Sequence, residues 1–112
     1  MVKQGSIIKT DLSPTKGHEQ TGFRPALVVS STLFTSLTNL TLICPITNTD
    51  RNHPLHVKLK DLKTTGFVMT DQIRAIDLKG RKFVAVERVS KGTFVKISNL
   101  LKASVDLSED FE

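Results

Sequence analysis

Apolar positions along this chain come in short clusters separated by polar, glycine- or proline-bearing stretches, the pattern of a protein assembled from short strands. Ser6–Thr10 is rich in β-branched residues and predicts a first strand. Leu12–Gly22 holds Pro14, Gly17 and Gly22 among mostly polar residues and predicts a long loop. Ala26–Ser30, behind Pro25, predicts a second strand, and Leu40–Ile46 a third that is apolar enough to be buried on both faces. The polar stretch Thr47–Pro54 separates it from the alternating segment Leu55–Leu59. Phe67–Thr70 continues the sheet after a turn at Thr64–Gly66, and Lys82–Val89 supplies at least one more strand. Ser31–Asn39 fits a short helix or a turn. Only the end of the chain carries a full helical pattern: Ser90 can cap it, Phe94, Ile97 and Leu101 follow at helical spacing, and Leu100 and Val105 widen the apolar face. About five to seven short strands and a terminal helix predict a mainly β fold, a small barrel-like sheet with helical additions. No repeat or linker divides the sequence, so one domain over residues 1–112 is expected, with an acidic, flexible tail from about residue 106.

Composition narrows the partners. A chain of 112 residues has room for one modest core. No run approaches the roughly 20 apolar residues that a membrane span requires. The start, Met1–Gly5, leads straight into strand-like sequence without a signal-peptide core, so a cytoplasmic location is expected. Cys44 is the single cysteine; it cannot form an internal disulfide, and its place in an apolar run predicts a buried, inert thiol. The net charge of +5 is unevenly distributed. Asp106, Glu109, Asp110 and Glu112 crowd the tail, which leaves residues 1–105 with 16 basic and 7 acidic side chains. A body this basic favours a polyanion, because neutralised phosphates release counterions.

Candidate chemistry concentrates in the first long loop and after the third strand. Pro25 restrains Arg24 to an extended backbone, presenting a guanidinium from a stiff point suited to gripping phosphate. A surface ion pair of Arg24 with Glu19 or Asp11 is the plainer alternative. Cys44-Pro45-Ile46-Thr47-Asn48-Thr49 places hydroxyl and amide groups where the chain leaves the sheet, with Pro45 favouring an edge or the end of pairing. Those groups can hold a phosphate oxygen or simply satisfy a turn. His53-Pro54-Leu55-His56 is a poor metal motif, because its spacing is expected to set the two rings on opposed faces. Lys79, Arg81 and Lys82 form a basic turn open to phosphate or to solvent. Most of the six phenylalanines are expected in the core; Phe23, beside Arg24, is the candidate for base stacking.

The run Asp11-Leu12-Ser13-Pro14-Thr15-Lys16-Gly17-His18-Glu19-Gln20, followed by Gly22-Phe23-Arg24-Pro25-Ala26, resembles the amino-terminal signature of the MazF/PemK/Kid family of type II toxins. Cys44-Pro45-Ile46-Thr47 resembles a second element of that family, and Thr65–Asp77, with Asp71-Gln72 at its centre, a third. The resemblance implies an SH3-like small barrel of the PemK/CcdB type with a carboxy-terminal α-helix, paired as a two-fold homodimer. It implies a metal-independent, ribosome-independent and sequence-specific endoribonuclease that cuts single-stranded mRNA, without cofactor, and a MazE-like antitoxin whose disordered acidic tail occupies the RNA groove. Arg24 and Thr47 are the implied catalytic pair. His18 and Asp71 are rival proton-transfer residues. RNA contacts are expected from Lys16, Gly17, Glu19, Gln20, Phe23, Asn48, Thr49, Gln72, Lys79 and Arg81. Kid-like members carry an arginine two residues before the aspartate, where this chain has Met69. The alternative on the same fold is a CcdB-like gyrase poison, which relies on a carboxy-terminal tryptophan; this chain has no tryptophan and ends Ser108-Glu109-Asp110-Phe111-Glu112.

Overall fold

The computed structural model describes residues 1–12 and 23–111. Seven strands form the body: β1 (Ser6–Thr10), β2 (Arg24–Val28), β3 (Thr41–Thr47), β4 (His56–Lys58), β5 (Phe67–Met69), β6 (Arg74–Ile76) and β7 (Phe83–Arg88). They pair antiparallel in the order β4-β5-β3-β2-β1-β7, with β6 beside the first half of β3. The mainly β class and the terminal helix match the sequence expectation. The barrel does not close: among the described residues no ladder joins β4 to β7. Glu87 of β7 spans part of that opening, accepting hydrogen bonds from the Lys63 amide (3.0 Å), the Thr64 amide (2.6 Å) and the Thr64 hydroxyl (2.7 Å) of the loop after β4.

Strict alternation along β2 and β3 feeds two apolar clusters on opposite faces of the sheet. Ile7, Leu27, Cys44, Ile46, Val57 and Val68 face one way, while Ile8, Ala26, Val28, Ile43 and Ile76 face the other. The third strand is buried on both faces as its composition predicts, except that Leu40 lies outside it and is exposed. Pro45 does not end pairing. It sits opposite Ala26 in mid-strand, and β3's other edge is unladdered between Ile43, where β6 ends, and Ile46, where β5 begins. Such a gap tolerates a proline's missing N–H.

Two helices complete the fold. In α1 (Thr32–Thr38) the Ser31 hydroxyl accepts from the Phe34 amide at 3.2 Å, and Asn39 terminates the helix with a left-handed φ of 63°. In α2 (Lys91–Val105) Ser90 caps the Thr93 amide at 3.2 Å. Ile97 is fully buried against the first cluster, with Phe94, Leu100 and Leu101 beside it. Val105, expected on the apolar face, is 85% exposed because the helix ends there, beyond the sheet. The tail forms one 3-10 turn, Glu109–Phe111.

Candidate active site

Strand register brings the two principal candidates together. The β2–β3 ladder ends at Ala26 opposite Pro45, and the same register continued two residues further sets Arg24 across from Thr47. Neighbouring strands lie about 4.8 Å apart and alternate residues share a face. Arg24 and Thr47 therefore emerge side by side, on the face that carries Ala26, Val28 and Ile43. Thr47 in turn pairs with Phe67, and Phe67 with Lys58, so one row of that face runs Arg24, Thr47, Phe67, Lys58 across four strands.

Arg24 is exposed, and its guanidinium makes no ion pair with the described residues, Asp11 included; Glu19 lies outside them. Thr47 uses its hydroxyl oxygen as acceptor for the Thr49 amide at 3.1 Å, which leaves the hydroxyl proton available to a ligand. Thr49 thus supports the turn, as the plainer reading of that segment has it. The neighbouring Asn48 accepts from the Thr65 hydroxyl at 2.9 Å. Gly66 has φ +119°, and a Cβ there would stand 2.5 Å from the Thr47 carbonyl oxygen. The glycine lets the two backbones close on one another and so fixes where Thr47 lies.

Two small clefts meet at Phe23, which is 45% exposed. One, of about 300 Å³, is lined by Lys9, Phe23, Pro25, Asn48, Lys63, Thr64, Thr65 and Val86. The other, of about 310 Å³, is lined by Asp11, Phe23, Gly80, Arg81 and Lys82. Lys9 and the Lys63–Thr65 loop, wall of the first, were not among the sequence candidates; only the resemblance block that opens at Thr65 touches them.

The basic residues divide by role. Arg81 donates to the Asp11 carbonyl and Arg74 to the Leu12 carbonyl at 3.1 Å, so both hold the chain as it leaves β1. Lys79 is exposed beside the apolar groove of Met1, Val2 and Phe83. The candidates Lys16, Gly17, His18, Glu19 and Gln20 lie outside the described residues.

Asp71 and Gln72 stand in the 3-10 turn Thr70–Gln72 after β5. Asp71 Oδ1 meets His56 Nε2 at 3.0 Å, and its Oδ2 lies 3.9 Å from His53 Nε2. The expectation that the two rings face apart is wrong. The His56 amide donates to the His53 carbonyl at 3.0 Å, closing a turn at Pro54-Leu55, and the rings at its two ends stack with centroids 4.4 Å apart. The three side chains bring their nitrogen and oxygen atoms within 4.8 Å of one another. Cys44 is fully buried; desolvation, reinforced by the Asp71 carboxylate, pushes its thiol up to about 12. Its burial is what the sequence leads one to expect of a free cysteine in an apolar run.

A guanidinium without an ion pair among the described residues, on the same sheet face as a threonine hydroxyl, is an arrangement able to grip a phosphate. The family described as PemK-like, MazF-like toxins of type II toxin-antitoxin systems matches residues 3–105. Endoribonuclease PemK of Escherichia coli is 40% identical over 93 residues, covering 79% of this chain and 70% of that protein. Endoribonuclease EndoA of Bacillus subtilis (strain 168) is 31% identical, covering 96% and 97% respectively. A MazE–MazF crystal structure from Deinococcus radiodurans superposes with a TM-score of 0.85 at 28% identity, covering 96% of this chain and 97% of that one. The chain belongs to the PemK-like, MazF-like toxin family.

Proposed function

We propose that this protein is the toxin of a type II toxin-antitoxin pair, an endoribonuclease that cuts single-stranded RNA with the RNA's own 2′-hydroxyl as nucleophile. The observation that carries the reading is the register of β2 and β3, which directs Arg24 and Thr47 to the same face at the same end of the sheet, with no ion pair on the guanidinium among the described residues. The 2′-oxygen attacks the adjacent phosphorus in line, the bond to the 5′-oxygen breaks, and the products are a 2′,3′-cyclic phosphate and a 5′-hydroxyl. The 2′-hydroxyl gives up its proton to a base, and the leaving 5′-oxygen takes one up. Arg24 stabilises the charge that gathers on the phosphoryl oxygens, and the Thr47 hydroxyl donates to a non-bridging oxygen. A guanidinium holds its proton too firmly to serve as the acid. Proton transfer falls to His18 or Asp71.

The protein works in the cytoplasm as a homodimer. β7 is an edge strand with exposed Phe83 on one face and exposed Val84 and Val86 on the other, apolar surface of the kind that a second copy covers. The relatives solved as MazE–MazF complexes support an antitoxin partner, here an acidic, disordered segment lying along the basic end of the sheet. The test is cleavage of a long RNA followed by end-group mapping. Cyclic-phosphate and 5′-hydroxyl ends are expected, with full activity in EDTA and none on a substrate carrying a 2′-deoxy sugar at the cut. Cutting of the deoxy substrate, or activity lost to EDTA and restored by a divalent ion, removes the mechanism.

A further inference from the structure

We propose that His53, stacked on His56, is a base-stacking subsite: a preformed aromatic platform that takes one nucleobase of the bound RNA beside the cut site. The proposal rests on the ribonuclease reading above. The two imidazoles are nearly parallel, 15° apart with centroids separated by 4.4 Å. Their exposures differ sharply. The His56 side chain is 3% exposed and the His53 side chain 37%, so one ring forms a floor and the other is open on the face and rim turned away from it.

The platform is fixed from several directions. His56 Nε2 donates to Asp71 at 3.0 Å, and the Leu55 amide donates to His53 Nδ1 at 3.0 Å. Thr70, next to Asp71, donates its hydroxyl to the Leu55 carbonyl at 2.6 Å, tying the turn to β5. A platform already ordered loses little freedom when a base settles on it. Unpaired bases of single-stranded RNA stack on aromatic side chains, histidine among them. This chain has no tryptophan or tyrosine to offer instead.

Position fits the role. The His53 loop begins at Thr47, and His56, opposite Met69, lies on the same sheet face as Thr47 and Phe67. Two strand spacings and one two-residue step separate His56 from Thr47, about 12 Å along the sheet. That spacing suits a nucleotide next to the one whose phosphate reacts. Arg51 and Lys58 are exposed cations flanking the loop, available to the backbone of the same strand.

Two imidazoles and a carboxylate also suggest a cation site, but the hydrogen bonds oppose it. The Leu55 amide makes His53 Nδ1 an acceptor, so the proton sits on Nε2 and no lone pair faces Asp71. His56 Nδ1 is buried with no hydrogen-bond partner among the described residues, and the Nε2–Asp71 contact places that ring's proton on Nε2 as well. Metal-binding histidines instead donate their second nitrogen to an acceptor.

The experiment uses a single-stranded RNA made uncleavable by a 2′-deoxy sugar at the cut, with 2-aminopurine placed at successive positions. One position is expected to be quenched by wild-type protein and not by His53→Ala. The variant should bind roughly 5- to 150-fold more weakly, equivalent to about 1–3 kcal/mol for one stacked base. His53→Phe should retain both quenching and affinity, since it keeps the ring and loses the nitrogens. An abasic nucleotide at the quenched position should cost the wild type as much as His53→Ala does, and cost that variant nothing more. Loss in His53→Phe equal to that in His53→Ala, zinc-dependent tightening of binding, or quenching independent of residue 53 overturns the proposal. If wild-type protein cuts all-ribose RNA yet shows no such position, the subsite alone fails. If it neither cuts nor binds RNA, the ribonuclease reading fails with it.

Discussion

Replacing Glu87 with glutamine changes little volume but removes the charge that holds the loop after β4 against β7. Three donors converge on that carboxylate, two of them amides with fixed directions. Glutamine can satisfy some of them with its carbonyl oxygen, but its NH₂ then confronts another donor. Hydrogen bonds to a charged group contribute about 1.5–3 kcal/mol each when well buried. Glu87 is partly exposed and water replaces much of what is lost, so a total near 1–2 kcal/mol is the reasonable scale. At about 2.1 cal/mol/K per residue, unfolding this chain has an entropy that converts 1 kcal/mol into about 4 °C, so the melting temperature should fall by roughly 4–8 °C at pH 7. The Thr64 hydroxyl first, then the Lys63 and Thr64 amides and the Lys63 charge, hold the Glu87 carboxyl below its ordinary 4.5 against the opposing effect of desolvation. A carboxyl lowered in the folded state stabilises fully above its unfolded value, and that contribution disappears as pH falls from about 4.5 through the folded value. The gap between wild type and Glu87→Gln, followed by circular dichroism from pH 7 to pH 3, should therefore narrow in the acid. A gap that is the same at both ends would show packing rather than charge at work, and no gap at pH 7 would refute the reasoning. Because Lys63–Thr65 wall the cleft beside Phe23, the same variant should raise KM more than it lowers kcat.

Arg24→Ala should lower kcat by about 10²–10³-fold, the scale of losing one fixed charge at a reacting phosphate, while the melting curve scarcely moves because the side chain is exposed. Near-normal cutting by that variant would remove Arg24 from the mechanism. Gly66→Ala forces a Cβ against the Thr47 carbonyl at a φ of +119°, and should cost at least about 2 kcal/mol in urea unfolding together with most of the activity. A stable, active Gly66→Ala protein would mean that Thr47 is not set by this contact. Cys44, buried and with its thiol raised to about 12, should resist a thiol-reactive dye in the folded protein at pH 8 and react promptly in denaturant; fast labelling of native protein is the contrary result.

Local pattern carried most of the strands, because alternation and β-branching act within a few residues. Ser6–Thr10 is found with its expected bounds, and Ser90 caps the terminal helix as its hydroxyl and the following apolar spacing predict. β6 escaped because Arg74-Ala75-Ile76 is three residues with a single apolar anchor, too short to show a period; β3 supplies its pairing. The limits of local reading are clearest at the site. Arg24 and Thr47 are joined at the level of sequence only by the family resemblance, and their closeness is a matter of register between β2 and β3, which no spacing along one strand reveals. On one extended strand the spacing of His53 and His56 would set the rings on opposed faces. A turn at Pro54-Leu55 reverses the chain between them, and a carboxylate fifteen positions later pins the inner ring. Glu87 gives no signal in the sequence, being one charged residue in an edge strand until the sheet curls and presents it with amides from the far side. These three cases have one physical origin. Residues whose role depends on which strands and turns come together cannot be read from periodicity, since periodicity reports only which face of its own element a side chain occupies. The proposed RNA-handling end lies where β1 and β3 end and β2 begins. Its chemistry was therefore legible in residue type, and its geometry only in the folded chain.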